Sequence, residues 1–248
     1  MKREFDPNQP ELMDRPQPLS PELARDLDNL ESLNRYFGSH RLLRRFLAAW
    51  FQPGRTYRVL DVCTGAGDLP RAMVDWARPR GISLQIDAID AAAATLEHAR
   101  ERSAAYPEIQ FSQADALNYT ARLSYDFVHC SLALHHFSEE DAARLLRRFR
   151  ELSHRYILVA DLERGLVNSA AIWAVTAAIY RDPMTVHDAR ASARRAFSFA
   201  EFHHLAEVAG WQDFGHSRFI AARQAIWHAS RDFGEINIPL DETLPCPT

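Results

Sequence analysis

Apolar residues recur every three or four positions from Pro21 to Phe51, with Leu23, Leu27, Leu30, Leu33 and Phe37 on one stripe. That spacing predicts helix, and Gly38 divides it into two. Beyond Phe51 the period changes. Short apolar runs at 57–63, 83–90, 108–115, 124–132 and 155–162 alternate with helix-like stretches at 68–78, 92–104 and 138–152. Strands that alternate with helices predict right-handed βαβ units and a mostly parallel sheet. The alternation breaks after Asp161. An apolar helix-like run at 165–181 is followed by a polar connection at 182–197, a helix at 198–210 and two strand-like runs at 211–220 and 223–231. The short link Ala221-Ala222 between those runs predicts an antiparallel hairpin.

The expected fold is α/β: a Rossmann-like, seven-stranded, mostly parallel sheet with helices on both faces, a C-terminal antiparallel hairpin and an N-terminal helical cap. The expected organisation is a flexible, proline-rich leader at 1–20, the cap at 21–52 and the main domain at 53–232. A helical insertion falls at about 163–197 and a peripheral tail at 233–248.

Composition changes this picture little. With 248 residues, 47% of them hydrophobic, the chain suits one α/β core with additions. Its 29 basic and 33 acidic residues leave a net charge of −4, and no basic face marks a nucleic-acid partner. Cys63, Cys130 and Cys246 lack metal-ligand spacing, so no metal is expected, and reduced thiols are the natural reading. No run approaches the length of a membrane span, and a cytoplasmic, soluble protein is expected. Nothing in the pattern fixes an oligomeric state.

The chemistry concentrates in "VLDVCTGAGDLP", residues 59–70, a buried strand running into a glycine turn and a helix start. In open parallel sheets such turns let backbone approach a ligand. A dinucleotide site would want a third glycine where Pro70 stands. Asp68 opens the following helix, where it would repel a pyrophosphate, and Asp61 adds a second negative charge. A cationic, phosphate-free cofactor suits the turn better: S-adenosylmethionine. Asp90 ends the second strand run, placed to accept both ribose hydroxyls. Asp115 ends the third, in reach of an adenine amino group, and "CSLALHH" ends the fourth.

These residues resemble class I S-adenosylmethionine-dependent methyltransferases, most of all the branch of ubiquinone and menaquinone biosynthesis methyltransferases and their small-molecule relatives. The match runs through "VLDVCTGAGDL", "AID", "QADAL" and "DFVHCSLALHHF", and the strand order extends it to about residue 230. Cys63 departs from it, standing at the first glycine of the family's acidic-x-Gly-x-Gly-x-Gly pattern. The resemblance implies that Asp61, Cys63, Gly65, Gly67 and Asp68 flank the methionine part and that Asp90 and Ala91 meet the ribose. It also implies Asp115 and Ala116 at the adenine, Ser131 and Leu132 contributing backbone, and S-adenosylhomocysteine as the product.

Methyl transfer from a sulfonium asks the protein for positioning, a dry cavity and, for a hydroxyl acceptor, a base. His135 and His136 follow the fourth strand at the mouth of the cleft and are the catalytic candidates. Tyr36, Trp173, Tyr180, His187 and Arg194, in the cap and the insertion, are the candidate contacts to a flat acceptor with a phenolic or anionic edge. The expected activity is O- or C-methylation of a small phenolic, quinone-like or polyketide-derived molecule. A non-catalytic cofactor-binding module and a nicotinamide-dependent reductase are the alternatives.

Overall fold

In strand β1 (Thr56–Val62), Tyr57 and Val59 join one hydrophobic core while Leu60 and Val62 join the other. Alternation of this kind requires helices on both faces of the sheet. The computed structural model describes residues 2–230 and supplies them. The tail expected at 233–248, and with it Cys246, lies outside the described residues.

The chain continues through helix α1 (Pro21–Tyr36) and α2 (Ser39–Trp50) to β1, then α3 (Asp68–Ala77), β2 (Ser83–Asp90), α4 (Ala93–Arg102), β3 (Ile109–Gln113) and β4 (Tyr125–Ser131). It proceeds through α5 (Glu139–Leu152), β5 (Ser153–Leu162), α6 (Leu166–Val175), α7 (Pro183–Arg195), α8 (Phe199–Val208), β6 (Gly215–Phe219) and β7 (Arg223–Ala229). The seven strands lie in the order β3-β2-β1-β4-β5-β7-β6. All pairs are parallel except those of β7, which runs antiparallel to both β5 and β6. This is the expected sheet, hairpin included.

One face carries α2 and α3, with Phe46, Trp50 and Met73 fully buried against Val59 and Leu158. The other carries α5 and α8, with Leu146, Phe149 and Phe202 buried against Leu60 and Val159. Gly38, at φ 101°, separates α1 from α2 as expected. Local chemistry fixes other helix starts: Ser20 caps α1 ahead of Pro21, and Ser198 with Glu201 forms a capping box on α8.

Two segments differ from expectation. Residues 182–197, read as a polar connection, are mostly helix α7. The Asp182 carboxylate accepts from the Met184 and Thr185 amides, and Pro183 occupies the first turn, a helix start that outweighs the polar composition. Residues 2–17, read as a flexible leader, lie as a strap across the carboxyl ends of the strands. The strap is tied by Leu12 and Met13 amides to Asp188 and by the Arg3 side chain to the carbonyls of His135, Phe137 and Arg195.

Candidate active site

A cavity of about 960 Å3 opens over the carboxyl ends of β1, β2, β4 and β5, the place where open α/β sheets bind ligands. The strap and helices α1, α6 and α7 roof it. Leu23, Leu27 and Ala94 form a small separate cluster with Ala66 of the glycine turn, fixing the cap over that turn.

The glycines of the turn have different jobs. Both are left-handed, Gly65 at φ 56° and Gly67 at φ 71°. A Cβ on Gly65 would meet nothing within 4 Å, so this backbone faces open cavity, whereas one on Gly67 would strike the Phe111 ring at 2.9 Å. Cys63 is also left-handed, at φ 56°, in the conformation a glycine would hold more easily. Its thiol contacts that of Cys130, and this bond together with burial pushes its pKa up. It is a packed small side chain rather than a nucleophile.

Acidic groups dominate this side of the cavity. The Asp61 carboxylate is buried and bonded to Nδ1 of His129, its partner across the β1–β4 pairing, at 2.5 Å. Asp68, first residue of α3 and also buried, pairs with Nε2 of His40 at 3.1 Å. Asp90 accepts from the Gly65 and Ala92 amides at 2.9 and 3.0 Å. Burial pushes its carboxyl up, and those two amides work against the shift. Thr64 Oγ1 is buried on the wall with no hydrogen-bond partner among the described residues.

The opposite side holds the histidines. His135 is 2% exposed, and Asp161 holds it twice: Oδ1 meets its Nδ1 at 2.6 Å and Oδ2 accepts its backbone amide at 2.9 Å. Burial works against the charge of Asp161, but His135 outweighs it and holds that carboxyl below its usual range. Nε2 of His135 is left without a hydrogen bond, 3.9 Å from Glu11 Oε1. His136 pairs through Nδ1 with Asp14 at 2.8 Å. Burial disfavours its charge, yet Glu11 and Asp14 overcome this and raise its pKa to about 10. Glu11, His135 and His136 each bring one donor atom within 4.8 Å of the others, a grouping that the cysteine spacing alone could not disclose.

Of the residues expected at the cofactor, Asp61, Cys63, Gly65, Asp68, Asp90, Ala91, Ser131 and Leu132 line this cavity. Gly67 stands just behind the wall against Phe111. Asp115 and Ala116 do not line it. Asp115 is exposed and spends its oxygens on the Leu117 amide and the Asn118 side chain, because β3 ends at Gln113 and the chain turns there. Gln113 reaches the cavity instead.

His135 and His136 both line it, but none of the five expected acceptor contacts does. The lining residues of α6 are Asn168, Ala171, Ile172 and Val175, one helical face, and Trp173 falls off it beneath the Arg190 guanidinium. Tyr36 is 73% exposed, and Tyr180 spends its hydroxyl on Ser32. His187 bonds Asp188, which fastens the strap, while Arg194 points outward near Glu4. Leu30, Leu33, Phe37, Leu162 and Ile172 supply the apolar wall.

Sequence reasoning missed Glu11, Asp14, His129, Asp161 and Arg223. Asp161 carried a signal, an acid ending an apolar strand run as Asp90 does. Glu11 and Asp14, in a polar proline-rich stretch, carried none.

Residues 59–155 match the family model described as a methyltransferase domain. The chain is similar to the 2-phytyl-1,4-naphtoquinone methyltransferase of Thermosynechococcus vestitus, 38% identical over 81 residues, 33% of this chain and 35% of that one. It thus spans about a third of the length of that curated relative. Among solved structures it resembles the plantazolicin methyltransferase BamL, in complex with a triazolic desmethylPZN analog and S-adenosylhomocysteine, with TM-score 0.61 and 18% identity over 79% of this chain and 71% of that one. It also resembles human N-acetylserotonin methyltransferase in complex with S-adenosylmethionine, with TM-score 0.60 and 18% identity over 84% of this chain and 56% of that one. At these identities the solved structures establish the fold.

Proposed function

Because residues 59–155 form a methyltransferase domain on a class I methyltransferase sheet, we propose that this chain transfers a methyl group from S-adenosylmethionine to a small phenolic, quinone-like or polyketide-derived acceptor, on oxygen or carbon. One observation carries the reading: an open backbone face at Gly65 in a cavity whose adjoining walls are Asp61, Asp68 and Asp90. Such walls suit an ammonium and a sulfonium and repel a pyrophosphate, which weighs against a nicotinamide reductase. The chemistry of the donor set fits the cofactor, and the unpartnered Thr64 hydroxyl offers it one further hydrogen bond.

When bound, S-adenosylmethionine supplies an already activated methyl group. Asp90 and Ala91 would hold the ribose, Gln113 would stand at the adenine in the place expected of Asp115, and Asp61 and Asp68 would flank the methionine part. Gly65 would let the backbone approach, and Cys63, Ser131 and Leu132 would complete the wall. The Asp161 carboxylate accepts the Nδ1–H of His135, which leaves Nε2, without a hydrogen bond, as the basic nitrogen. A hydroxyl acceptor would give up its proton to Nε2. His136, kept cationic by Glu11 and Asp14, stays a charge that steadies the developing phenolate rather than a base. A cytoplasmic location and the absence of a nucleic-acid partner belong to the same proposal.

Calorimetric titration with S-adenosylmethionine, S-adenosylhomocysteine and NADH tests the core of it. Micromolar binding of the first two and none of the third is expected. Folded protein that binds neither sulfur compound overturns it. With an acceptor identified by screening, His135→Gln lowers turnover by about 10²- to 10⁴-fold and leaves S-adenosylhomocysteine affinity unchanged. Unchanged turnover removes His135 from the mechanism.

A further inference from the structure

Arg223, the first residue of β7, is 6% exposed and lines the cavity. Its Nε donates to Ser39 Oγ at 3.1 Å, and Ser39 donates in turn to Asn34. Among the described residues the two terminal guanidinium nitrogens donate no hydrogen bond, and no carboxylate comes within ion-pair distance. Asp161 is the acid whose charge it feels, but both Asp161 oxygens are taken, by the His135 ring and amide and by the Leu162 amide. Burial lowers the Arg223 pKa to about 10, so it stays charged at neutral pH. A buried cation with two idle donors on a cavity wall is costly, and an anionic ligand in that cavity removes the cost.

Its place along the sheet says which ligand. The strand order sets Asp90 on β2, the glycine turn after β1, His135 after β4, Asp161 on β5 and Arg223 on β7. At the usual spacing, β7 lies about 14 Å from β1, with His135 between them. The glycine-turn side carries Asp61, Asp68 and Asp90, and among the described residues the one buried arginine of the lining is Arg223, on β7 beyond His135 in strand order. Arg194, the arginine expected to meet an anionic edge, points away, so that role passes to Arg223.

We infer that Arg223 is an acceptor-recognition residue whose guanidinium fork binds a carboxylate of the methyl acceptor, holding the molecule between itself and His135. The connection that presents it is itself unusual: Ala221 and Ala222, both cavity-lining, are left-handed at φ 57° and 59°. Non-glycine residues in that conformation are strained and persist where surrounding structure holds them.

This rests on the methyltransferase reading, and the test separates the two. The probes are 4-hydroxybenzoate and its neutral amide, 4-hydroxybenzamide, titrated into protein saturated with S-adenosylhomocysteine. Wild type binds the acid more tightly by about 10- to 100-fold, the worth of hydrogen bonds between charged groups. Arg223→Gln binds the two alike. Arg223→Lys, which keeps the charge and loses the fork, retains part of the preference and keeps the test usable if the glutamine variant fails to fold. Equal binding of acid and amide by wild type overturns the inference. So does a glutamine variant that loses affinity for S-adenosylhomocysteine but not for 5′-methylthioadenosine, since the carboxylate would then be the donor's own. Wild type that binds no S-adenosylhomocysteine overturns the underlying reading instead.

Discussion

Gly65 and Gly67, two residues apart and both left-handed, should fail in different ways. Gly67→Ala pays the left-handed strain and drives a methyl into Phe111 at 2.9 Å, so stability falls by about 1–3 kcal/mol in urea denaturation. Gly65→Ala carries the strain alone, about 1–2 kcal/mol. Its methyl enters the open cavity and abolishes S-adenosylhomocysteine binding in a fold that still melts cooperatively. Equal loss of binding and stability in both variants would contradict this division. Cys63 shows the same backbone demand met by a different residue. The glycine pattern made the turn legible in the sequence, but the reason for each glycine lies in what its missing side chain would touch.

At the scale of elements, α1 and α7 meet through a buried acid. Asp26 accepts from Thr185 Oγ1 at 2.6 Å, while its other oxygen has no partner. Burial, countered by Thr185 but reinforced by Asp188 and Asp182, pushes its pKa to about 7. The folded state therefore favours the protonated form, and stability drains away as pH climbs from about 4 to about 7. Asp26→Asn should match wild type below this window and exceed it above, a difference urea denaturation at several pH values will register. A constant offset would show that ionisation is not its cause. The strands were legible because buried parallel strands leave continuous apolar runs between helices. The acceptor wall was not. Trp173 and Tyr180 stand in an apolar stretch that composition marks as cavity, yet α6 buries no residue, and helical phase turns Asn168 and Ile172 inward instead.

Across the whole molecule, the strap closes the cavity with charge as well as backbone. His136, raised to about 10 by Glu11 and Asp14, is protonated in the folded state far above the usual histidine value of about 6.5. Its contribution is complete below about pH 6.5 and is lost as pH rises through about 10. Chymotrypsin should cut the strap of wild type after Leu12 faster at the alkaline end of this window, relative to a peptide control. His136→Gln should be cut readily throughout. None of this was readable in the leader, since Glu11 and Asp14 acquire meaning only from helix α7 and the loop before α5. The expected acids at the ends of β1 and β2 needed no such distant partner.

Arg3 ties the strap to the carbonyls of His135 and Phe137, the same short loop that carries the proposed base. Opening the chamber to exchange its contents would therefore disturb this loop, and closing it would restore both together. This coupling predicts that traffic through the strap, rather than methyl transfer, limits steady-state turnover. Added viscogen should slow kcat while single-turnover transfer stays constant, and Arg3→Ala should remove that sensitivity.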